Sequence, residues 1–245
     1  MNPISSRDND KFKTWLSLLS SKGIKKEGLF LLSGERLIKE FLKKPNLEIS
    51  AELVPKGHEK LTDDRKNIFE FPIEMFASLD ELGTRFNILV LKTPKIPTWS
   101  PQDPAQQLEV FCPLGDPNNV GALLRCAEAF GADQVILTEE SANPFLPKSV
   151  KASAGSVLRV NLVKGPKVSE LPSDLIALDG HGQKLNEFKW PTPCRIIVGE
   201  EGQGLKSFQG QNRICITTKG VESLNASVAI GIALYDFTNK KGLKF

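Results

Sequence analysis

Two apolar β-type runs late in the chain, Arg195–Val198 and Arg213–Thr217, each open into an unusual loop, and this pair constrains the fold more than anything else. The first loop, Gly199–Leu205, carries glycines at 199, 202 and 204; the second, Gly220–Asn225, sets Glu222, Ser223 and Asn225 close together. Glycines placed after a strand take left-handed backbone angles and let the main chain approach a ligand closely. Leu224–Phe237 follows, apolar nearly all round, which predicts a helix buried on several faces. Two such loops at neighbouring strand ends make one pocket, in the place where open α/β sheets bind their ligands.

The chain has 245 residues, enough for one large domain or two ordinary ones. Its hydrophobic content of 40% and charged content of 25% suit a soluble globular protein, and no apolar run is long enough to span a bilayer. The first residues, MNPISSRDNDKFK, are polar and carry acids, which fits neither a secretory signal nor a transit peptide, so a cytoplasmic location is expected. Cys112, Cys126, Cys194 and Cys215 are widely spaced within apolar runs and read as reduced, buried thiols rather than disulfides or zinc ligands. His58 and His181 are the two histidines, so a histidine base would have to be one of them, and no His-based metal site is expected. Net charge is +3, and residues 1–100 hold the whole surplus. That permits nucleic-acid contact without requiring it.

In order, Asp10–Ser20 has helical spacing with Asp10 as cap; Leu29–Leu32 is a strand; Ser33–Lys44 is an amphipathic helix stopped by Pro45. Ile49–Val54, Ile68–Phe71 and Asn87–Lys92 read as strands, and Pro72–Glu81 as a short helix. These define a small α/β domain over residues 1–92. Thr93–Ala105 has four prolines in thirteen residues and reads as a linker, with Trp99 packed on one of the domains. A second alternation fills residues 106–245: strand Leu108–Cys112, helix Val120–Phe130, strand Gln134–Thr138, a helix near Lys148–Ala154, then strands at Val157–Val163, Leu175–Leu178, Arg195–Val198 and Ile214–Thr217. The fold class is α/β with a largely parallel sheet.

Asp116-Pro117-Asn118-Asn119 is a helix start, with Asn118 or Asn119 as its cap. The segment could be only that cap; alternatively Arg125, six residues beyond Asn119, could lie over the strand-end cleft as a permanently charged forked donor. The Gly199–Gly204 loop matches neither a Walker A loop nor GxGxxG, and its two carboxylates disfavour a pyrophosphate. Ser223 could cap the last helix or line the pocket; no G-x-S-x-G elbow supports a hydrolase nucleophile.

Three segments in this order, DPNNVGALLRCAEAFGA, RIIVGEEGQGL and ICITTKGVESLNASVAIGIALYD, resemble the signature motifs of the SpoU (TrmH-like) RNA ribose methyltransferases of the SPOUT superfamily. NPFLPKSVKASAGSVLRV is similar to that family's middle section, and LFLLSGERLIKEFL to its small substrate-binding domain. The resemblance covers about Leu108–Phe237. It implies a C-terminal SPOUT-type parallel sheet tied into a deep trefoil knot, a fold that general topology rules would not suggest. It further implies S-adenosylmethionine held by Leu178, Gly199, Gly204, Ile216, Ser223, Leu224 and Asn225, and a homodimer through the last helix.

The reaction implied is methyl transfer to a ribose 2′-hydroxyl, which needs in-line alignment and help with the hydroxyl proton. By the same resemblance Arg125 binds the 2′-hydroxyl and its neighbouring phosphate, Asn119 positions the site, and Glu201, Ser223 and Asn225 support the geometry. An arginine is a poor base, so its role is orientation and electrostatic stabilisation; no metal is called for. Glu200 stands where the family often has Asn or Ser. The substrate implied is RNA, ribosomal before transfer RNA. Two alternatives remain at this level: a catalytically silent RNA- or ribosome-binding protein on the same scaffold, and a Rossmann-type dehydrogenase.

Overall fold

The computed structural model describes residues 1–63, 67–200, 204–205 and 207–242. In chain order its elements are β1 (Asn2–Pro3), α1 (Asp10–Ser17), α2 (Ser21–Glu27), β2 (Leu29–Leu32), α3 (Glu35–Lys43), β3 (Ile49–Pro55), β4 (Ile68–Phe71), α4 (Ile73–Ala77) and β5 (Ile88–Lys92). There follow β6 (Leu108–Cys112), α5 (Pro117–Ala129), β7 (Gln134–Leu137), α6 (Pro147–Ala152), β8 (Leu162–Lys164), β9 (Ile176–Lys184), β10 (Cys194–Val198), β11 (Arg213–Cys215) and α7 (Ala226–Lys241). The chain divides into two compact units, Met1–Lys95 with Asn143–Gly155, and Ile96–Ala142 with Ser156–Phe245.

The first unit holds a five-stranded sheet in the order β1-β4-β3-β5-β2. β4 runs parallel to β1 and β3, whereas β5 is antiparallel to β3 and β2. Phe12 and Trp15 of α1 pack on the aromatic rows of β4, with Trp15 4.9 Å from Phe69 and 5.9 Å from Phe71 between ring centroids. The segment Asn143–Gly155, expected in the second domain, belongs here instead: Phe145 stacks on Phe30 at 4.9 Å.

The second unit holds a six-stranded sheet in the order β11-β9-β10-β6-β7-β8, each pair of neighbouring strands parallel. Every residue of β6 is buried, as a central parallel strand covered on both faces requires. The proline-rich segment is divided by the unit boundary between Lys95 and Ile96. Its Trp99 joins the second core, edge-on to Phe111 at 5.3 Å, and its backbone N–H donates to the Lys164 carbonyl at 2.8 Å.

Several local expectations are corrected. The Val157–Val163 strand is a 3-10 turn at Ser156–Leu158 followed by β8, because Arg159 and Val160 turn their N–H groups back to the Ser156 carbonyl. The cap of α5 is Asp116, in extended backbone ahead of Pro117; its Oδ1 accepts from Asn118 N at 2.8 Å and Asn119 N at 3.0 Å. The last helix begins at Ala226 with Asn225 as its cap, which leaves Ser223 and Leu224 in the preceding loop. Its other end is anchored by Lys240, whose Nζ reaches the Leu185, Asn186 and Phe188 carbonyls at 2.9, 3.1 and 3.2 Å.

Candidate active site

The pairing of β9 with β10 ends at Leu178 and Val198, and the two strands then part around a cavity of about 780 Å³. The walls come from Leu178–Gly182 and Lys184 of β9, from residues at and just beyond the carboxyl ends of β10 and β11, and from the start of α7. That is the ligand position of an open parallel sheet. Leu178, Gly199, Gly204, Ile216, Ser223 and Leu224 all line it, so six of the seven residues expected at the cofactor share one cavity. Gly199 is closely packed: a Cβ there would meet Gly204 Cα and C at 3.1 Å. Gly204 itself sits at φ +60°, which suits glycine.

Asn225, the seventh, caps α7 with Oδ1, accepting from Ser227 N at 2.9 Å and Val228 N at 3.3 Å. Its Nδ2 donates to Asn119 Oδ1 at 3.0 Å. The structure therefore joins two of the expected catalytic residues directly, across 106 positions of sequence. Arg125 lies on the exposed side of α5 and is not part of the cavity lining. Glu201 lies outside the described residues. Beside Arg125, burial pushes the Cys126 thiol up, and the guanidinium's positive charge partly opposes that shift.

Sequence reasoning missed two contacts. Glu200 lines the cavity, and its Oε1 accepts from Gly115 N at 3.1 Å, tying the loop after β10 to the residue before the α5 cap. Asp179 and Arg213 form an ion pair at the cavity's β9 wall, where Gly180, His181 and Gly182 also face the space. The signal available for the second was DGHG, a histidine flanked by glycines directly after an apolar strand.

The cavity suits S-adenosylmethionine on chemical grounds. Leu178, Ile216 and Leu224 offer apolar surface for an adenine, Glu222 and Ser223 offer polar groups, and the glycines at 199 and 204 leave main chain accessible.

Comparison with known proteins agrees with this geometry. The model of the SpoU rRNA Methylase family matches residues 110–235. The chain is 38% identical over 241 residues to "Ribosomal RNA small subunit methyltransferase G 2" of Syntrophobacter fumaroxidans, over 95% of this chain and 48% of that protein. It thus spans about half the length of that relative, whose name describes the whole. Over 252 residues it is 27% identical to the Bacillus subtilis 23S rRNA (guanosine(2553)-2′-O)-methyltransferase RlmP, covering 96% of this chain and 98% of the relative. The crystal structure of the SpoU methyltransferase AviRb from Streptomyces viridochromogenes, solved with AdoMet, superposes with a TM-score of 0.75 at 22% identity, over 95% and 99% of the two chains. That likeness establishes the fold.

Proposed function

Because the chain belongs to the SpoU rRNA methylase family, we propose that it is an S-adenosylmethionine-dependent RNA methyltransferase acting on a ribose 2′-hydroxyl, with ribosomal RNA as its substrate. The observation that carries this reading is the strand-end cavity with the Asn119–Asn225 hydrogen bond beside it. The near end-to-end match to the 23S rRNA 2′-O-methyltransferase supports ribosomal RNA as the acceptor.

When bound, S-adenosylmethionine supplies a methyl group activated by its sulfonium. The chain's own residues must then hold donor and acceptor in line and stabilise the alkoxide that develops. Leu178, Gly199, Gly204, Ile216 and Leu224 hold the cofactor, and Ser223 and Glu201 support the reacting geometry. Asn225 and Asn119 fix the start of α7 to the start of α5. Arg125, one and a half turns further along α5, binds the acceptor ribose and phosphate as a fixed positive fork. The first unit is the RNA-binding domain, and the methyltransferase unit follows the family's knotted path.

A second copy of the chain is the proposed partner. On α7, Val228, Ile232 and Tyr235 are 50%, 37% and 58% exposed and fall four and three residues apart, which makes one apolar stripe along the helix. No helix among the described residues is long and apolar enough to cross a membrane; the bacterial ribosomal RNA methyltransferase that the chain matches supports the cytoplasm as the proposed location.

Calorimetric titration with S-adenosylmethionine, followed by methyl transfer to ribosomal RNA, tests the reading. Arg125→Ala is expected to abolish transfer and leave cofactor binding intact. Retained turnover in that variant refutes the role of Arg125. Cofactor binding by wild type without transfer to any RNA would favour a silent RNA-binding protein.

A further inference from the structure

The ladder between β9 and β11 contains a jump. Arg213 pairs with Ala177, yet the next residue, Ile214, pairs with Gln183. Leu178–Gly182 therefore leaves that ladder as an arch, and all five of its residues line the cavity. At one foot, the Asp179 carboxylate pairs through Oδ2 with the Arg213 guanidinium. Asp179 Oδ1 accepts the His181 N–H at 3.2 Å, and Arg213 also donates to the Phe208 carbonyl at 3.4 Å. At the other foot, a Cβ on Gly182 would lie 2.5 Å from Arg213 C and O, so the arch rests on the β11 backbone itself. The crown is open: nothing lies within 4 Å of a Cβ built on Gly180.

The hydrophobic core does not depend on this pair. Ile176, Ala177 and Leu178 remain paired with β10, and the arch touches the core only through Leu178. What the ion pair fixes is one wall of the cavity. Without it the arch would have to be ordered each time a ligand binds, and apparent affinity falls by the fraction of time the wall is in place.

We propose that Asp179 and Arg213 are a positioning pair for cofactor binding, clamping the Leu178–Gly182 arch as a preformed wall of the cavity. The proposal rests on the reading of that cavity as the methyl-donor site.

The test is calorimetric titration of S-adenosylmethionine and its demethylated product into the full chain, wild type against Asp179→Ala, Arg213→Ala and the charge exchange Asp179→Arg/Arg213→Asp. Each single variant is expected to raise the cofactor Kd about tenfold, corresponding to a wall in place about a tenth of the time. The loss falls on the cofactor KM rather than on kcat, RNA affinity stays as it was, and the melting midpoint without cofactor holds. The charge exchange recovers most of the affinity. Single variants within twofold of wild type overturn the clamp, as does an affinity loss that tracks a falling melting midpoint or a charge exchange that recovers nothing. A wild-type protein that binds neither ligand overturns the functional reading, and the clamp with it.

Discussion

Asn225 does two things with two atoms, and substitution can separate them. Oδ1 caps α7 through Ser227 N and Val228 N, and Nδ2 donates to Asn119 at 3.0 Å. Asn225→Ala removes both. A lost cap costs about 1 kcal/mol, and an exposed side-chain hydrogen bond about 0.5–1 kcal/mol. Together these lower the melting midpoint of the second unit by roughly 3–8 °C, at about 2–4 °C per kcal/mol. Asn225→Asp keeps the acceptor and places an anion at a helix N-terminus, favourable by about 0.3–1 kcal/mol, yet it faces Asn119 Oδ1 with a second acceptor. The Asp variant should therefore melt within about 2 °C of wild type and still lose methyl transfer. Scanning calorimetry and single-turnover transfer at saturating cofactor read the two effects separately. Wild-type turnover in Asn225→Asp removes the Asn119 bond from the site; melting as low as the Ala variant refutes the capping account.

Four further outcomes follow from packing and charge. Arg195→Met leaves Glu109, fully buried and held by Arg195 Nε at 2.7 Å, without its cation; urea unfolding should show a loss of about 3–5 kcal/mol, recovered largely by adding Glu109→Leu. Burial pushes the Cys112 thiol up to about 11 and the Cys194 thiol to about 12, so at pH 8 both should resist Ellman's reagent until guanidinium exposes all four thiols. Because these folded values lie above the unfolded 9.0, the unfolded chain ionises first, and stability should fall as pH climbs from about 9 towards 11–12. Phe145→Ala, which empties a buried site against Phe30, should destabilise the first unit by about 3–5 kcal/mol, and proteolysis should then cut within residues 1–95 rather than in the six-stranded sheet.

Strands bounded by turn residues were legible to the residue: Leu29–Leu32, Ile68–Phe71 and Leu108–Cys112 are apolar runs with clear ends. The helix Ser21–Glu27 was not. Its sequence SKGIKKE has no apolar period; Ser20 caps it and Gly28, at φ 65°, ends it, so its signal lies outside the helix proper. Caps were misassigned at Asp116 and Asn225 for a related reason: several of Asp, Asn and Ser stand together at each start, and only the backbone conformation selects among them. At the site, glycine spacing revealed the cofactor wall because it is a local property of the chain. The Gly115–Glu200 and Asp179–Arg213 contacts join residues 85 and 34 positions apart; DGHG marks one side of the second, but nothing local names the partner in either. The placement of Asn143–Gly155 is hidden in the same way, since nothing near Phe145 names Phe30 as its partner.

The distant contacts also explain how one rigid site arises from two separate parts of the second unit. The cavity is built from β9, the ends of β10 and β11 and the start of α7, whereas Asn119 and Arg125 lie on α5, after β6. Of the contacts that join these parts, three bear on the setting of α5. Glu200 holds Gly115 at 3.1 Å, Asn225 holds Asn119 at 3.0 Å, and Gly231 of α7 lets Cys126 approach so closely that a Cβ there would lie 3.2 Å from its Sγ. The ties fall just before α5, in its first turn and in its third, so they fix both the position and the rotation of the helix about its axis. Arg125 immediately precedes Cys126, and its direction is set by that rotation. Alignment of acceptor with donor, the requirement that dominates a simple in-line transfer, is then a property of the folded unit before RNA arrives. A bulky residue at 231 should accordingly impair transfer while leaving the cavity's own walls, and cofactor binding, unchanged.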